Sequence, residues 1–324
     1  MLIRSAGAEL NSTKHLLDPE LHPIVDAFPD TPLIAETLHA FRRATQENVE
    51  LGDAEAVGVA RTEVEVTSAD GTNVRCLLYV PKTAADNRPG YLHIHGGGYV
   101  IGSSEGSDAT NLAIASRLGA VVLSVGYRLA PEHPIPAPLD DCYAGLGWLH
   151  EAAESFGVNR DRIAIGGESA GGGLAAMLAI KARDAGEYAI CHQQLTYPML
   201  DNLTGTDKQT GDPLTGEFVW TRERNVFGWA SFLGDADAVA PHVPARLESF
   251  EGLPPTWMMT ASLDLFRDED IAYAQRLLAA GVPTELIVYD GACHGFQMIP
   301  GTALGKRYAR DHLTALAKGL GITQ

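Results

Sequence analysis

Covalent chemistry in this 324-residue chain would need a serine, a base to activate it and an acid to hold the base, and the sequence offers each. The serine is Ser169, within Gly167-Glu168-Ser169-Ala170-Gly171. The β-branched run Arg162 to Ile165 before it reads as a buried strand, and the Ala/Leu/Met run after Gly173 reads as a helix. Strand, sharp turn and helix make a Gly-x-Ser-x-Gly pentapeptide a nucleophile elbow. Gly167 and Gly171 leave room for strand and helix to approach, and the helix N-terminus brings positive partial charge to a forming oxyanion. A second match, Gly102-Ser103-Ser104-Glu105-Gly106, lies in a Gly/Ser-rich loop without the flanking elements, so Ser104 reads as a loop residue.

Serine is a poor nucleophile unless a base, itself oriented by a third group, takes its proton. In this context the chain order is Ser, then Asp or Glu, then His. Four histidines follow Ser169. His192 lies in a predicted strand, His242 between two prolines and His312 in the terminal helix. His294 follows the last predicted strand in a loop, which puts it at the correct sheet end as the base; the alternative is a surface loop histidine. Asp264 follows the preceding strand and is the expected acid. Asp268, Glu269 and Asp270 suit the start of the next helix, where carboxylates complement the dipole. His95-Gly96-Gly97-Gly98 follows the third strand, and glycine lets its backbone come close to a substrate. The N–H groups of Gly97, Gly98 and Ala170 are the expected oxyanion hole. His93-x-His95 could pair on a metal, but no third ligand stands at useful spacing, so no metal site is expected.

Elements alternate along the chain in a way that would position these residues. Residues 1–30 read as irregular, punctuated by Pro19, Pro23 and Pro29. Thr31-Pro32 suits the start of a helix reaching about Asn48, with Ile34, Leu38 and Phe41 on one face. Residues 61–67 and Asn73 to Val80 form a hairpin about Asp70-Gly71. Then come a strand Tyr91–His95, a helix Asp108–Leu118 and a strand Ala120–Val125. The Pro-rich connector 127–138 cannot be helix or central strand. A helix Leu139–Phe156 precedes the elbow, and a strand Ala189–Tyr197 follows it. Residues 201–250 break the alternation as an aromatic-studded insertion with helix around 221–233. Strand Pro255–Ala261, helix Asp268–Ala280, strand Thr284–Tyr289 and helix 302–319 complete the chain. The fold class is α/β, a mostly parallel sheet covered on both faces. Ligands of such sheets bind at the carboxyl ends of the strands.

The composition narrows the function. A formal charge of −17 argues against nucleic acid or an anionic membrane as partner. Four scattered cysteines show neither metal spacing nor a disulfide framework. The N-terminal residues carry no apolar core long enough for a signal peptide, and no run is long enough to span a membrane. A cytoplasmic, reduced protein is the expectation.

Together, His95–Gly98, Tyr127-Arg128-Leu129-Ala130-Pro131-Glu132-His133-Pro134, Gly167–Gly172, Asp264 with Arg267-Asp268-Glu269, and His294-Gly295-Phe296 resemble the bacterial hormone-sensitive-lipase-like carboxylesterases. The likeness runs from about residue 61 to the C-terminus. It implies an α/β-hydrolase fold with a helical cap, a Ser169–His294–Asp264 triad, and an oxyanion hole from Gly97, Gly98 and Ala170. It divides the chain into an N-terminal cap segment (1–55), a catalytic domain (56–200 and 251–324) and a cap insertion (201–250). It also implies hydrolysis of short-to-medium acyl esters without a cofactor, and a homodimer formed through the last strand and nearby helices. Two positions depart from the family pattern: Leu265 stands where proline usually follows the acid, and Glu168 replaces the commoner Asp. Cys293 beside His294 could make activity thiol-sensitive or be an inert small residue. The competing readings are an amidase or peptidase on the same residues, and a small-molecule receptor of the same fold. Activity is expected to fall as pH drops through the range where histidine protonates.

Overall fold

The computed structural model describes residues 12–29, 31–47, 49–299 and 301–322. Its eight strands are β1 (Val59–Thr67), β2 (Asn73–Pro81), β3 (Arg88–Ile94), β4 (Val121–Val125), β5 (Val158–Glu168), β6 (His192–Thr196), β7 (Thr256–Ala261) and β8 (Thr284–Tyr289). They form one sheet in the order β1-β2-β4-β3-β5-β6-β7-β8. The hairpin pairs Thr67 with Asn73, and β2 pairs antiparallel with β4; every later pairing is parallel. The central strands are apolar on both faces because helices cover both. Leu77, Tyr91, Val122 and Ala164 pack on one side with residues of α3 (Asp108–Leu118) and α8 (Ala303–Gly319). Leu78, Leu92, Leu123 and Ile165 pack on the other with α4 (Ala137–Glu151) and α5 (Ala170–Ala185). The alternation along each strand is the period-two signature of a pleated chain.

Residues 201–250 leave the sheet between β6 and β7 and carry α6 (Arg222–Leu233). α7 (Arg267–Ala279) follows β7. Because β3, β5, β7 and β8 run parallel, the loops after them meet at one edge, and these loops hold His95–Gly98, Ser169, Asp264 and His294.

The N-terminal expectations need correction. Residues 1–30 are not all irregular: short 3-10 helices cover Thr13–Leu16 and Pro19–Leu21, and α1 covers His22–Ala27. Pro19 and Pro23 sit in first turns, where the missing N–H costs nothing. α2 (Ala35–Glu47) starts later than Thr31-Pro32 suggested. The Thr31 and Pro29 carbonyls are instead held extended by Arg224 Nη2 at 3.0 Å each. The Thr37 hydroxyl accepts the Ile34 N–H at 3.1 Å, capping the helix from inside its first turn. Residues 1–11 and Asn48 lie outside the described residues. The Pro-rich connector also ends earlier than expected, since α4 begins at Ala137 with Pro138 in its first turn. It stops at Glu151, and Glu154–Phe156 is a separate 3-10 turn.

Candidate active site

β5 runs straight into Ser169, which has φ 56° and ψ −119°, a left-handed backbone that non-glycine residues avoid. The surroundings enforce it. A Cβ on Gly167 would lie 2.2 Å from the Ile94 carbonyl oxygen, and one on Gly171 would lie 2.0 Å from the same oxygen. Glycine at both positions lets β3, β5 and α5 converge. The Ser169 N–H is bound to the Thr196 carbonyl at 2.9 Å, which fixes the turn and leaves the hydroxyl to project.

His294 Nε2 lies 3.0 Å from Ser169 Oγ, and His294 Nδ1 lies 2.8 Å from Asp264 Oδ2. All three residues are buried. The carboxylate accepts the Nδ1 proton, so Nε2 is free to accept from the serine hydroxyl. The other Asp264 oxygen accepts the Phe266 N–H at 3.0 Å. That bond forms an Asx turn, which shapes the loop without the proline that Leu265 replaces. Leu265 is buried and packs toward Gly216 of the insertion. Rings surround the imidazole: Tyr197 at 4.3 Å, Phe266 edge-on at 5.4 Å and Trp220 at 6.1 Å between centroids.

Gly97 (φ +122°) and Gly98 (φ +59°) form the facing loop. A Cβ on Gly97 would meet the Ile101 carbonyl oxygen at 2.1 Å, and one on Gly98 the Trp220 ring at 2.1 Å. Among the described residues, no acceptor takes the N–H of Gly97, Gly98 or Ala170, the last because it opens α5. His95 secures the loop: its Nδ1 donates to the Gly96 carbonyl at 2.8 Å, and its ring stacks on Tyr127 at 4.2 Å. Burial lowers its pKa to about 4, keeping it neutral. Tyr127 in turn donates to the His95 carbonyl at 3.0 Å.

The other sequence candidates fall elsewhere. Ser104 sits in a 3-10 turn and donates to Glu105 at 3.2 Å. His192 meets Gln194 at 3.0 Å, and His312 packs edge-on against Trp257. Asp268 pairs with Arg267 at 2.7 Å, and Glu269 accepts the Leu200 N–H at 2.7 Å. Cys293 is buried, and its thiol is pushed up to about 12 by that burial, with the Asp264 charge adding to it. It is therefore inert as a nucleophile at neutral pH. His93 and His95, which share one strand face, have different partners. His93 faces Glu168 at 3.1 Å, and sequence carried no signal for that contact between residues 75 apart.

A model of the alpha/beta hydrolase fold family matches residues 91–298. The chain belongs to that family, among the bacterial hormone-sensitive-lipase-like carboxylesterases. It is 33% identical to the carboxylesterase NlhH of Mycobacterium tuberculosis over 284 residues, 86% of this chain and 88% of that one. It is also 33% identical to the esterase LipI of the same organism over 296 residues, 87% of this chain and 88% of the relative. Among solved structures, a bacterial heroin esterase superposes with a TM-score of 0.88 at 36% identity, over 95% of this chain and 99% of that one. The esterase LipW from Mycobacterium marinum gives 0.85 at 32% identity, over 94% and 96%. Family membership makes this chain a serine carboxylic ester hydrolase, and both fold and family agree with the resemblance seen in the motifs.

Proposed function

We propose that Ser169 is the nucleophile, His294 the general base and acid, and Asp264 the group that orients the imidazole, in an esterase acting on short-to-medium acyl esters. The observation that carries this reading is the unbroken line Asp264–His294–Ser169, with contacts of 2.8 and 3.0 Å, facing unbonded glycine-loop N–H groups. Ser169 Oγ bonds to the ester carbonyl carbon as His294 Nε2 takes its proton. The N–H groups of Gly97, Gly98 and Ala170 hold the oxyanion. Collapse breaks the bond to the alcohol oxygen, which leaves with the proton from Nε2. Water, deprotonated by the same nitrogen, then attacks the acyl-serine, and the acid departs as Oγ regains its proton.

Residues 1–55 and 201–250 form the cap in this reading. Arg42 of α2 donates to the Val100 carbonyl at 2.8 Å, just beyond the glycine loop. Glu217 of the insertion accepts from the Ser12 hydroxyl and the Thr13 N–H at 2.6 Å each. Trp220 lies against both the Gly98 loop and the His294 ring, and that apolar side chain beside the site suits an acyl chain. A homodimer through β8 is supported by its unpaired outer edge, where Val288 is exposed, and light scattering tests it. Four free cysteines fit a reducing cytoplasm, and no helix among the described residues is long and apolar enough to cross a membrane.

A series of p-nitrophenyl esters from acetyl to palmitoyl, with a matched p-nitroanilide, tests the substrate class. The expected result is a maximum among short-to-medium chains and far slower anilide cleavage. Equal rates on ester and anilide, or a maximum at palmitoyl, would overturn it.

A further inference from the structure

We propose that a cross-strand hydrogen bond between His93 and Glu168 locks the strand entering the oxyanion loop against the strand entering the nucleophile turn, making both positioning residues for acyl transfer. The inference rests on the roles given above to Ser169 and the glycine loop.

His93 lies on β3 and Glu168 ends β5, and these strands are direct neighbours, with His93 opposite Gly166 and Ile94 opposite Gly167. Beyond the last pair, β3 supplies Gly97 and Gly98 and β5 supplies Ser169 and Ala170. The oxyanion donors and the attacking oxygen therefore come from two strand ends whose relative position must be held. His93 Nε2 lies 3.2 and 3.1 Å from the two carboxylate oxygens of Glu168. The backbone there is already in close contact, since a Cβ on Gly96 would sit 2.8 Å from the Glu168 carbonyl oxygen.

The far side of the His93 ring is also held. Ser124 Oγ donates to the Ser104 carbonyl at 3.3 Å, so toward His93 Nδ1, 3.2 Å away, it is left to accept. The Asn111 amide lies across the same Nδ1, with Nδ2 at 3.4 Å and Oδ1 unpartnered. Burial alone would push the Glu168 carboxyl up, yet the His93 charge and hydrogen bond hold it below its ordinary range.

Removing either partner leaves the substrate pocket intact but loosens the donors relative to Oγ. The loss therefore belongs to the transition state, where donor alignment counts most. Glu168→Gln, His93→Gln and the double variant are assayed on p-nitrophenyl butyrate, with a trifluoromethyl ketone as transition-state mimic. Each single variant is expected to lower kcat by on the order of 10–100-fold, with KM within about 2-fold. Ketone affinity should fall by the same factor as kcat/KM, and the double variant should be no worse than the poorer single. Unchanged kcat, a loss confined to KM, or multiplicative losses in the double variant would overturn the pair. If Glu168→Gln does not fold, Glu168→Asp replaces it in the cycle, keeping the charge but withdrawing it by one methylene. Ser169→Ala alongside separates the two readings: an active variant removes the nucleophile assignment, whereas an inactive one with unaffected pair variants removes this inference alone.

Discussion

Glu168, partly buried, ends one strand that leads to the candidate site, and Glu269, buried, follows another, yet they face opposite surroundings. Glu168, at the end of β5, has the His93 ring against its carboxylate. Glu269, in the first turn of α7, is buried and accepts the Leu200 and Asp201 N–H groups through one oxygen. Burial pushes the Glu269 carboxyl up to about 8, whereas the His93 ring facing Glu168 keeps that carboxyl below its ordinary range. Asp270 beside it is more extreme: it is fully buried, and desolvation, then the charges of Glu269 and Asp264, drive its pKa well up. Burial alone does not decide whether an acid is ionised here; the group facing it does. The end of β5 keeps a charge, and the head of α7 keeps protons.

This contrast ranks four acids by what their neutralisation should do. Asp264→Asn should be the most damaging, lowering kcat by on the order of 10^3–10^4-fold, because the amide can hold His294 in the wrong tautomer. Steady-state rates check it, and near-native activity would detach Asp264 from the imidazole. Glu168→Gln comes next, with the loss in kcat given above. Glu269→Gln should leave kcat nearly unchanged but alter how stability follows pH. Its folded pKa, raised from 4.5 to about 8, means its contribution is fully present below 4.5 and is lost as pH rises through 8. Urea unfolding at pH 5 and pH 9 should show the variant gaining on the parent by a few kcal/mol toward pH 9, roughly the size of that shift. Parallel curves would mean that Glu269 is already ionised in the fold. Glu168 has the opposite sign: its lowered pKa stabilises the fold above the ordinary carboxylate range and is lost on acidification. Asp268→Asn should do least, within about 0.5 kcal/mol, because the Asp268 side chain is largely exposed and its pairing with Arg267 is screened by water.

Much of the site was legible in the sequence because its chemistry tolerates few substitutes. Only a hydroxyl, an imidazole and a carboxylate in that order suit a nucleophile at a sheet edge, and only glycine fits where a Cβ at 97 would strike a carbonyl oxygen. The strand–helix alternation was legible because apolar runs and turn residues are local signals. What stayed hidden depends on contacts between distant residues. The start of α2 is set by Arg224, 193 residues beyond Thr31. The role of His93 stayed hidden because nothing near it in sequence names Glu168. The missing proline after Asp264 carried little weight, since the carboxylate itself closes the turn. The placement of β3 between β4 and β5 is a crossover that no stretch of sequence announces.

The most direct test of the catalytic arrangement is to treat the protein with a fluorophosphonate, digest it and locate the adduct by mass. One phosphonylated peptide is expected, the one containing Ser169, absent in Ser169→Ala and formed far more slowly in His294→Ala. An adduct on Ser104 or any other serine, or an active protein that takes no label, would contradict it.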